Sequence, residues 1–402
     1  MSVDEFWAQA AGTAGTVFNA AAVVCYAAAL LGCVYALIAA WVVRSFARSA
    51  TTPPATSYPP VTILKPLHGL EPNLYANLAS FCVQDYPSPV QIVFGVADAA
   101  DPAIGVVRKL KADFPETEMT LTINGGRHGT NAKVSNLINM VANARHDVLV
   151  VSDSDIIAER DYLKNIAAEL DRPGVGLVTC LYRGLAETGS ATRAWARLGA
   201  AAIDYHLLPG VLVGLKFGLA TPCFGPTMAL RKETLDSIGG FESIADQLAD
   251  DYVLGALVRR TGLTVAIPAA TVTHVCTERS AREFFQHELR WARTIRSVDP
   301  LGYAGLIVTH ALPLALLGTL LGGLTPASFI VIVALACRFA LQFELDRAFN
   351  LRSDVFWAGP VRDALSFAVF VASFFGRSVE WRGHRYTLRP DNTLAYYGEG
   401  KS

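Results

Sequence analysis

Residues 16–43 run for 28 positions without a charged side chain. As an α-helix at about 1.5 Å per residue this is about 42 Å, against a hydrocarbon core of about 30 Å. Such a segment near the start of a chain belongs in a bilayer, and one tilted span fits. A cleaved signal peptide is the rival reading, but its apolar region is shorter and is led by Lys or Arg. Here Asp4 and Glu5 precede the run and Arg44 and Arg48 follow it. The positive flank places the chain beyond it in the cytoplasm and the N-terminus outside.

The 402 residues are 52% hydrophobic and 17% charged, below the roughly 25% charged of a soluble globular chain. The excess lies at the two ends. Residues 304–324 form a second uncharged stretch, broken by Pro313, and 327–343 a third, interrupted by Arg338. A last segment, 355–375, carries Arg362 and Asp363 near its start. The tail holds Arg377, Arg382, Arg385 and Arg389, which favours the cytoplasm. Three full spans would put the tail outside, so one of these segments is expected to be re-entrant or interfacial.

A formal charge of -1 gives no basic field for nucleic acid. The seven cysteines are scattered, with no C-x-x-C or Cys/His zinc spacing, and read as reduced apolar residues.

Residues 49–60, rich in Ser, Thr and Pro, read as a linker. After it, strand-like runs at 61–64, 90–97, 118–123, 148–152 and 175–180 alternate with helical segments at 71–84, 102–113, 132–144 and 161–170. That alternation predicts βαβ units and a mainly parallel sheet buried on both faces. The organisation expected is an N-terminal span (1–48), the linker, an α/β domain (61–280), an amphipathic helix (281–300), a C-terminal membrane region (301–376) and a tail (377–402).

Ligands of such sheets bind beyond the carboxyl ends of the strands. Asp98 closes one strand, and Asp153 with Asp155 closes another. A lone Asp98 is as readily a cap as a ligand contact. The D-x-D is sharper: two carboxylates two residues apart on an extended segment share one side and suit a hard cation and the diphosphate it carries. Acid-only ligands favour Mg2+ or Mn2+ over zinc. The loop 125–133, Gly-Gly-Arg-His-Gly-Thr-Asn-Ala-Lys, runs into a helix start and suits a phosphate, although a surface turn is the commoner explanation. His274 is a further possible metal ligand, and His310 reads as a hydrogen-bonded packing residue of a span.

Ala249-Asp250-Asp251-Tyr252 opens a helical stretch to Arg260. Residues 281–298 would set Phe284, Phe285, Leu289, Trp291 and Ile295 against Arg282, Glu283, Arg293 and Arg296, an amphipathic helix at a membrane surface. There Trp291 is an interfacial anchor and Arg290 a lipid-phosphate contact, unless the pair serves a site.

The order Asp98, D-S-D at 153–155, A-D-D-Y at 249–252 and Arg290-Trp291 resembles the D, D, D, (Q/R)-x-x-R-W pattern of family-two-type inverting glycosyltransferases with a GT-A fold. Residues 63–69 (ILKPLHG), 98–104, 131–137 (NAKVSNL) and 381–386 (WRGHRY) are similar to the ceramide glucosyltransferase family. The run at 287–294, HELRWART, resembles its bacterial branch associated with hopanoid biosynthesis. Two positions depart from the pattern: His287 stands where the motif has Gln or Arg, and Asp155 where the family often has Gly.

The resemblance implies a GT-A α/β domain between membrane helices, acting on a UDP-sugar at the cytoplasmic face of the inner membrane. Asp98 would sit at the nucleotide, and Asp153 and Asp155 would hold Mg2+ or Mn2+ on the diphosphate. Lys133 and Arg290 would neutralise phosphate, Trp291 would line the acceptor entrance, and Asp251 would be the base. A single displacement on an α-linked donor gives a β-glycoside. Membrane segments on both sides of the domain favour a lipid alcohol as acceptor. The resemblance puts N-acetylglucosamine transfer to a hopanoid polyol first and glucose transfer to ceramide second. A processive polysaccharide synthase and a non-catalytic nucleotide-sugar receptor are the other classes in view.

Overall fold

The computed structural model describes residues 3–49, 54–187, 193–351, 358–376, 378–381, 384–388 and 393–396. Arg377, Arg382 and Arg389 of the tail, 50–53 of the linker and 355–357 of the last apolar segment lie outside them. The chain divides into two compact units, one of Met1–Arg48, Asp204–Leu219 and Asp299–Phe375, the other of Ser49–Ile203, Ala220–Val298 and Gly376–Ser402.

The second unit is α/β and contains every strand described. In chain order these are β1 (Val61–Pro66), β2 (Val90–Val96), β3 (Glu118–Ile123), β4 (Val148–Val151), β5 (Ile156–Ile157), β6 (Val175–Thr179), β7 (Leu181–Ala186), β8 (Met228–Arg231), β9 (Thr264–Ala266), β10 (Thr271–Cys276), β11 (Ser378–Trp381), β12 (His384–Leu388) and β13 (Leu394–Tyr396). Seven form the main sheet in the order β3-β2-β1-β4-β8-β6-β9. β3, β2, β1 and β4 are parallel, as the alternation predicts, whereas β8 is antiparallel to both β4 and β6. β1 is buried at all six positions and β4 at all four, the continuous burial of a sheet covered on both faces.

The helices follow the sequence reading within a few residues: Leu74–Cys82, Ala103–Asp113, Ala132–Val141 and Tyr162–Leu170. Ala132–Val141 packs on β1 and β2 through Val134, Leu137 and Met140, meeting Leu64 and Val93. Its close approach depends on Gly95, where an added Cβ would lie 2.2 Å from the Met140 sulfur.

The tail forms a small sheet, β11-β12-β13, tied to the helix Ala281–Val298. Gln286 donates to Glu380 at 2.8 Å, Arg293 to the Ser378 carbonyl, and Arg296 to the Gly376 carbonyl at 3.1 Å. Arg293 and Arg296, expected on the polar face of the helix, bind tail carbonyls.

The first unit is helical. Within the helix Val3–Ser49, residues Gly15–Arg48 are long and apolar enough to cross a membrane, and so is Pro326–Phe349. Pro300–Thr309 and Ala311–Gly322 form a pair bent by 70°, a broken span or a re-entrant loop. Gly359–Ser373 has 15 residues, about 22 Å, shorter than the hydrocarbon core. Gly32 lets Val3–Ser49 approach the bend, where an added Cβ would lie 2.6 Å from the Val308 oxygen. His310 at the bend packs on Phe367 and Phe370, and its Nδ1 has no hydrogen-bond partner among the described residues.

Sequence periodicity did not single out the apolar stretch Ala194–Lys216, which has the length of a span and a π-helical turn at Ile203–Leu207. Asp204 and His206 interrupt its apolar pattern. β6 precedes it and β8 follows it, and the two pair in the main sheet.

Candidate active site

β4 runs straight into Ser152-Asp153-Ser154-Asp155, and the surrounding structure fixes the backbone of that turn. Lys65 at the end of β1 donates to the Asp153 carbonyl at 2.8 Å, Asn77 to the Ser154 carbonyl at 3.2 Å, and the Val275 amide in β10 to the Asp155 carbonyl at 2.9 Å. With its carbonyls occupied below, the turn presents its carboxylates.

Asp153 Oδ1 lies 2.8 Å from Lys133 Nζ, and the same ammonium lies 3.5 Å from Asp250 Oδ2. Burial disfavours the charged lysine, but Asp153, Asp250 and Asp251 outweigh it and hold the ammonium well above its ordinary range. Asp250 is buried, which pushes its carboxyl up against the pull of Lys133. Asp251 accepts from the Gly225 amide and from the Tyr252 amide, each at 2.7 Å. Burial first, and then the charge of Asp250, raise its carboxyl from 3.8 to about 6. The loop glycine lies among these groups: a Cβ on Gly225 would stand 3.2 Å from Lys133 Nζ, 3.3 Å from Asp153 Oδ2 and 3.4 Å from Asp251 Oδ2.

Asp155 Oδ2 is 3.6 Å from His274 Nδ1, and its buried Oδ1 has no hydrogen-bond partner among the described residues. An orphaned carboxylate oxygen beside an imidazole, with Asp153 two residues away, is a donor set suited in chemistry to Mg2+ or Mn2+. Among the described residues, however, no three His, Cys, Asp or Glu side chains are gathered closely enough to hold an ion. Asp153 is drawn to Lys133 instead.

Beyond His274 lies a group of rings. Trp291 meets the His287 ring edge to face at 4.7 Å, with His274 at 6.1 Å and Tyr182 at 6.4 Å. Burial and then the charge of Asp251 push the Tyr182 hydroxyl up, with Asp155 and Asp153 adding to it, so the rings and the acids share one environment. His287 Nδ1 is 2.5 Å from Oε1 of the buried Glu278. The residue that departs from the (Q/R)-x-x-R-W pattern is thus supplied with a carboxylate of its own. Arg290 is half-buried beside Trp291 on the same helix.

Lys133, Asp153, Asp251 and, through His274, Asp155 and Trp291 therefore lie together. Asp98 stands at the same edge, after β2, but is exposed, and its Oδ1 accepts from the Ala100 amide at 2.9 Å in a local turn. The acid serving the next helix is Asp101, which accepts from the amides of Ala103 and Gly69. The helix start at Ala132, weighed for phosphate, is already capped by Asn131, whose side chain accepts from the Lys133 and Val134 amides. Sequence reasoning gave no separate role to Lys65, Asn77, Gly225 or Glu278. Of these, Lys65 alone carried a local signal, as a charge directly after an apolar strand-like run.

The sequence profile described as glycosyl transferase family 21 matches residues 24–394. Ceramide glucosyltransferase 1 of Caenorhabditis elegans is 26% identical over 359 residues, 83% of this chain and 73% of that protein. A ceramide glucosyltransferase of Candida albicans is 34% identical over 125 residues, 28% of this chain and 23% of that protein. Among solved structures, a mannosyltransferase of Pyrobaculum calidifontis in complex with GDP-Man and Mn2+ superposes with a TM-score of 0.51 at 20% identity, over 89% of this chain and 99% of that one.

Proposed function

The chain belongs to glycosyl transferase family 21, a nucleotide-sugar-dependent glycosyltransferase with a GT-A-like α/β fold, and from that premise we propose that it transfers one hexosyl unit from a UDP-sugar to the hydroxyl of a membrane lipid, inverting the anomeric carbon. The observation that carries this reading is the convergence of Lys133, Asp153 and Asp251 around Gly225. In the proposed reaction the acceptor oxygen bonds to the anomeric carbon as the bond from that carbon to the diphosphate breaks, and the hydroxyl proton passes to Asp251. Two amides fix the Asp251 carboxylate in place. A carboxyl raised to about 6 is still ionised at pH 7, yet is a stronger base than an ordinary aspartate.

Asp153 and Asp155, with His274 beside them, would hold Mg2+ or Mn2+, which supplies charge neutralisation to the departing diphosphate. Lys133 and Arg290 would add their cations there, and Trp291 would line the acceptor entrance. Asp98, exposed at the same strand edge, would contact the nucleotide. The α/β unit would work at the cytoplasmic face of the inner membrane in a multi-pass chain whose N-terminus lies outside.

Of the two acceptors, a hopanoid polyol taking N-acetylglucosamine is supported by the motif run 287–294. Ceramide taking glucose has the support of the C. elegans and C. albicans relatives. The full chain in detergent, offered UDP-glucose or UDP-N-acetylglucosamine with each lipid, should add a single β-linked sugar to one of them. Repeated addition would make it a polymerase, and donor binding with no transfer to any lipid would make it a receptor.

A further inference from the structure

Lys65 has 0% of its surface exposed and is the sole charge of β1. Its ammonium donates to Ser152 Oγ at 3.0 Å and to the Asp153 carbonyl at 2.8 Å, and lies 3.4 Å from the centroid of the Phe81 ring. A lysine in the middle of a sheet core is costly. Burial pushes its ammonium far down, against the opposing pull of Asp153 and Asp155. An apolar residue would serve packing better, so packing does not account for it.

Its partners give the reason. The two groups it holds are the last side chain of the approach to the turn and the first carbonyl of the turn itself. We propose that Lys65 is a positioning residue for the donor site: from beneath the sheet edge it fixes Ser152 and Asp153 so that the carboxylates of Asp153 and Asp155 face the diphosphate. Asn77 continues the support one residue further, at the Ser154 carbonyl. The two act from different elements, β1 and the helix Leu74–Cys82, so the turn is held independently of the loops above it. This inference rests on the assignment of Asp153 to the donor.

Lys65→Met keeps the length and the apolar stem against Phe81 but leaves the Ser152 hydroxyl and the Asp153 carbonyl without their donor. Two measurements on the full chain in detergent decide it. Hydrogen exchange of the peptide covering 152–157 should speed by on the order of 10-fold while the β3 peptide is unchanged. The KM for the UDP-sugar should rise by on the order of 10-fold with the lipid KM within two-fold of the parent, the scale seen when a support behind a ligating residue is removed. A lower folded fraction would reduce the apparent kcat and leave both KM values alone.

Faster exchange in a chain whose parent transfers no sugar would support the positioning and sink the transferase reading. Unchanged exchange and unchanged donor KM would overturn the positioning and leave the transferase reading intact. Should Lys65→Met fail to fold, Ser152→Ala, which removes one of the two acceptors, decides by the same readouts. Its donor KM should rise by about 3-fold, and a parental value would overturn the proposal.

Discussion

The Lys133 ammonium and the Asp153 carboxylate form an ion pair at 2.8 Å, with the lysine side chain 8% and the aspartate 30% exposed. Asp250, Asp251 and Asp155 stand close by, so carboxylates outnumber the cations that face them. A diphosphate entering such a place adds more negative charge. It requires either that Lys133 turn from Asp153 toward the phosphate or that a metal accompany the donor.

Asp251→Asn should retain fold and UDP binding and lose about 100-fold or more in kcat, the range of a positioned general base. Because the Asp251 carboxyl is raised to about 6, the ionised form that acts as base is lost as pH falls through that value. The kcat/KM profile of the parent should therefore carry an acid limb near pH 6. Parental turnover in the variant would remove Asp251 from the reaction, and inactivity of Asp250→Asn alone would move the base by one residue.

Exhaustive chelation should abolish transfer and Mn2+ or Mg2+ restore it. Asp155→Asn should raise the Mn2+ concentration needed for half-maximal rate by on the order of 10-fold, as should, to a smaller degree, His274→Ala. Direct Mn2+ binding by the full chain provides a readout separate from turnover. Full activity after chelation would dismiss the metal.

Arg290→Lys should impair transfer by on the order of 10-fold while membrane association is unchanged, since lysine lacks the fork that holds a diphosphate through two N–H donors. Trp291→Phe should likewise lower transfer, because the smaller ring loses its contacts with His287, His274 and Tyr182. Membrane partition and turnover measured on the same preparation separate this from simple anchoring, for which both changes would be silent.

In the helical unit, Arg338 Nε lies 2.9 Å from Asp363 Oδ1, and Arg338 also donates to the Tyr205 carbonyl at 2.9 Å. Both side chains of the pair are at most 10% exposed. Arg338→Met leaves the Asp363 charge buried without its main partner, and should cost about 3–5 kcal/mol. Thermal unfolding in detergent measures this, and an unchanged melting temperature would remove the pair from the account of stability.

The elements legible in the sequence were those whose pattern is local. β3 and the helix Ala281–Val298 match to the residue, because an apolar run or a helical period needs only its own neighbours. β8 has four residues and no such period, so the antiparallel insertion that makes the sheet mixed was invisible. The same limit applies to the site. Asp153, Asp155 and Asp251 follow recognisable strand and helix boundaries, whereas the role of Lys65 depends on a contact 88 residues away. Glu278 became meaningful once its neighbour His287 was seen to turn toward it. Ala194–Lys216 hid because Asp204 and His206 break it as an uninterrupted apolar run, although its mean hydropathy of 1.5 is that of a span.

The order of the main sheet also bears on how the chain is made. β6 pairs with β8 and β9, and β8 closes the open edge of β4, yet both β8 and β9 are synthesised after the apolar stretch Ala194–Lys216. When the ribosome reaches residue 193, β4 has a bare edge and β6 has no neighbour in the main sheet. Exposed edges of this kind invite pairing between chains. The half-made α/β unit must therefore wait, unfinished, while a hydrophobic helix leaves the exit tunnel, so handling of that helix and closure of the sheet are consecutive steps of one maturation. A chain ending anywhere between 187 and 227 would lack the strand that joins its two halves, however complete its acidic turn.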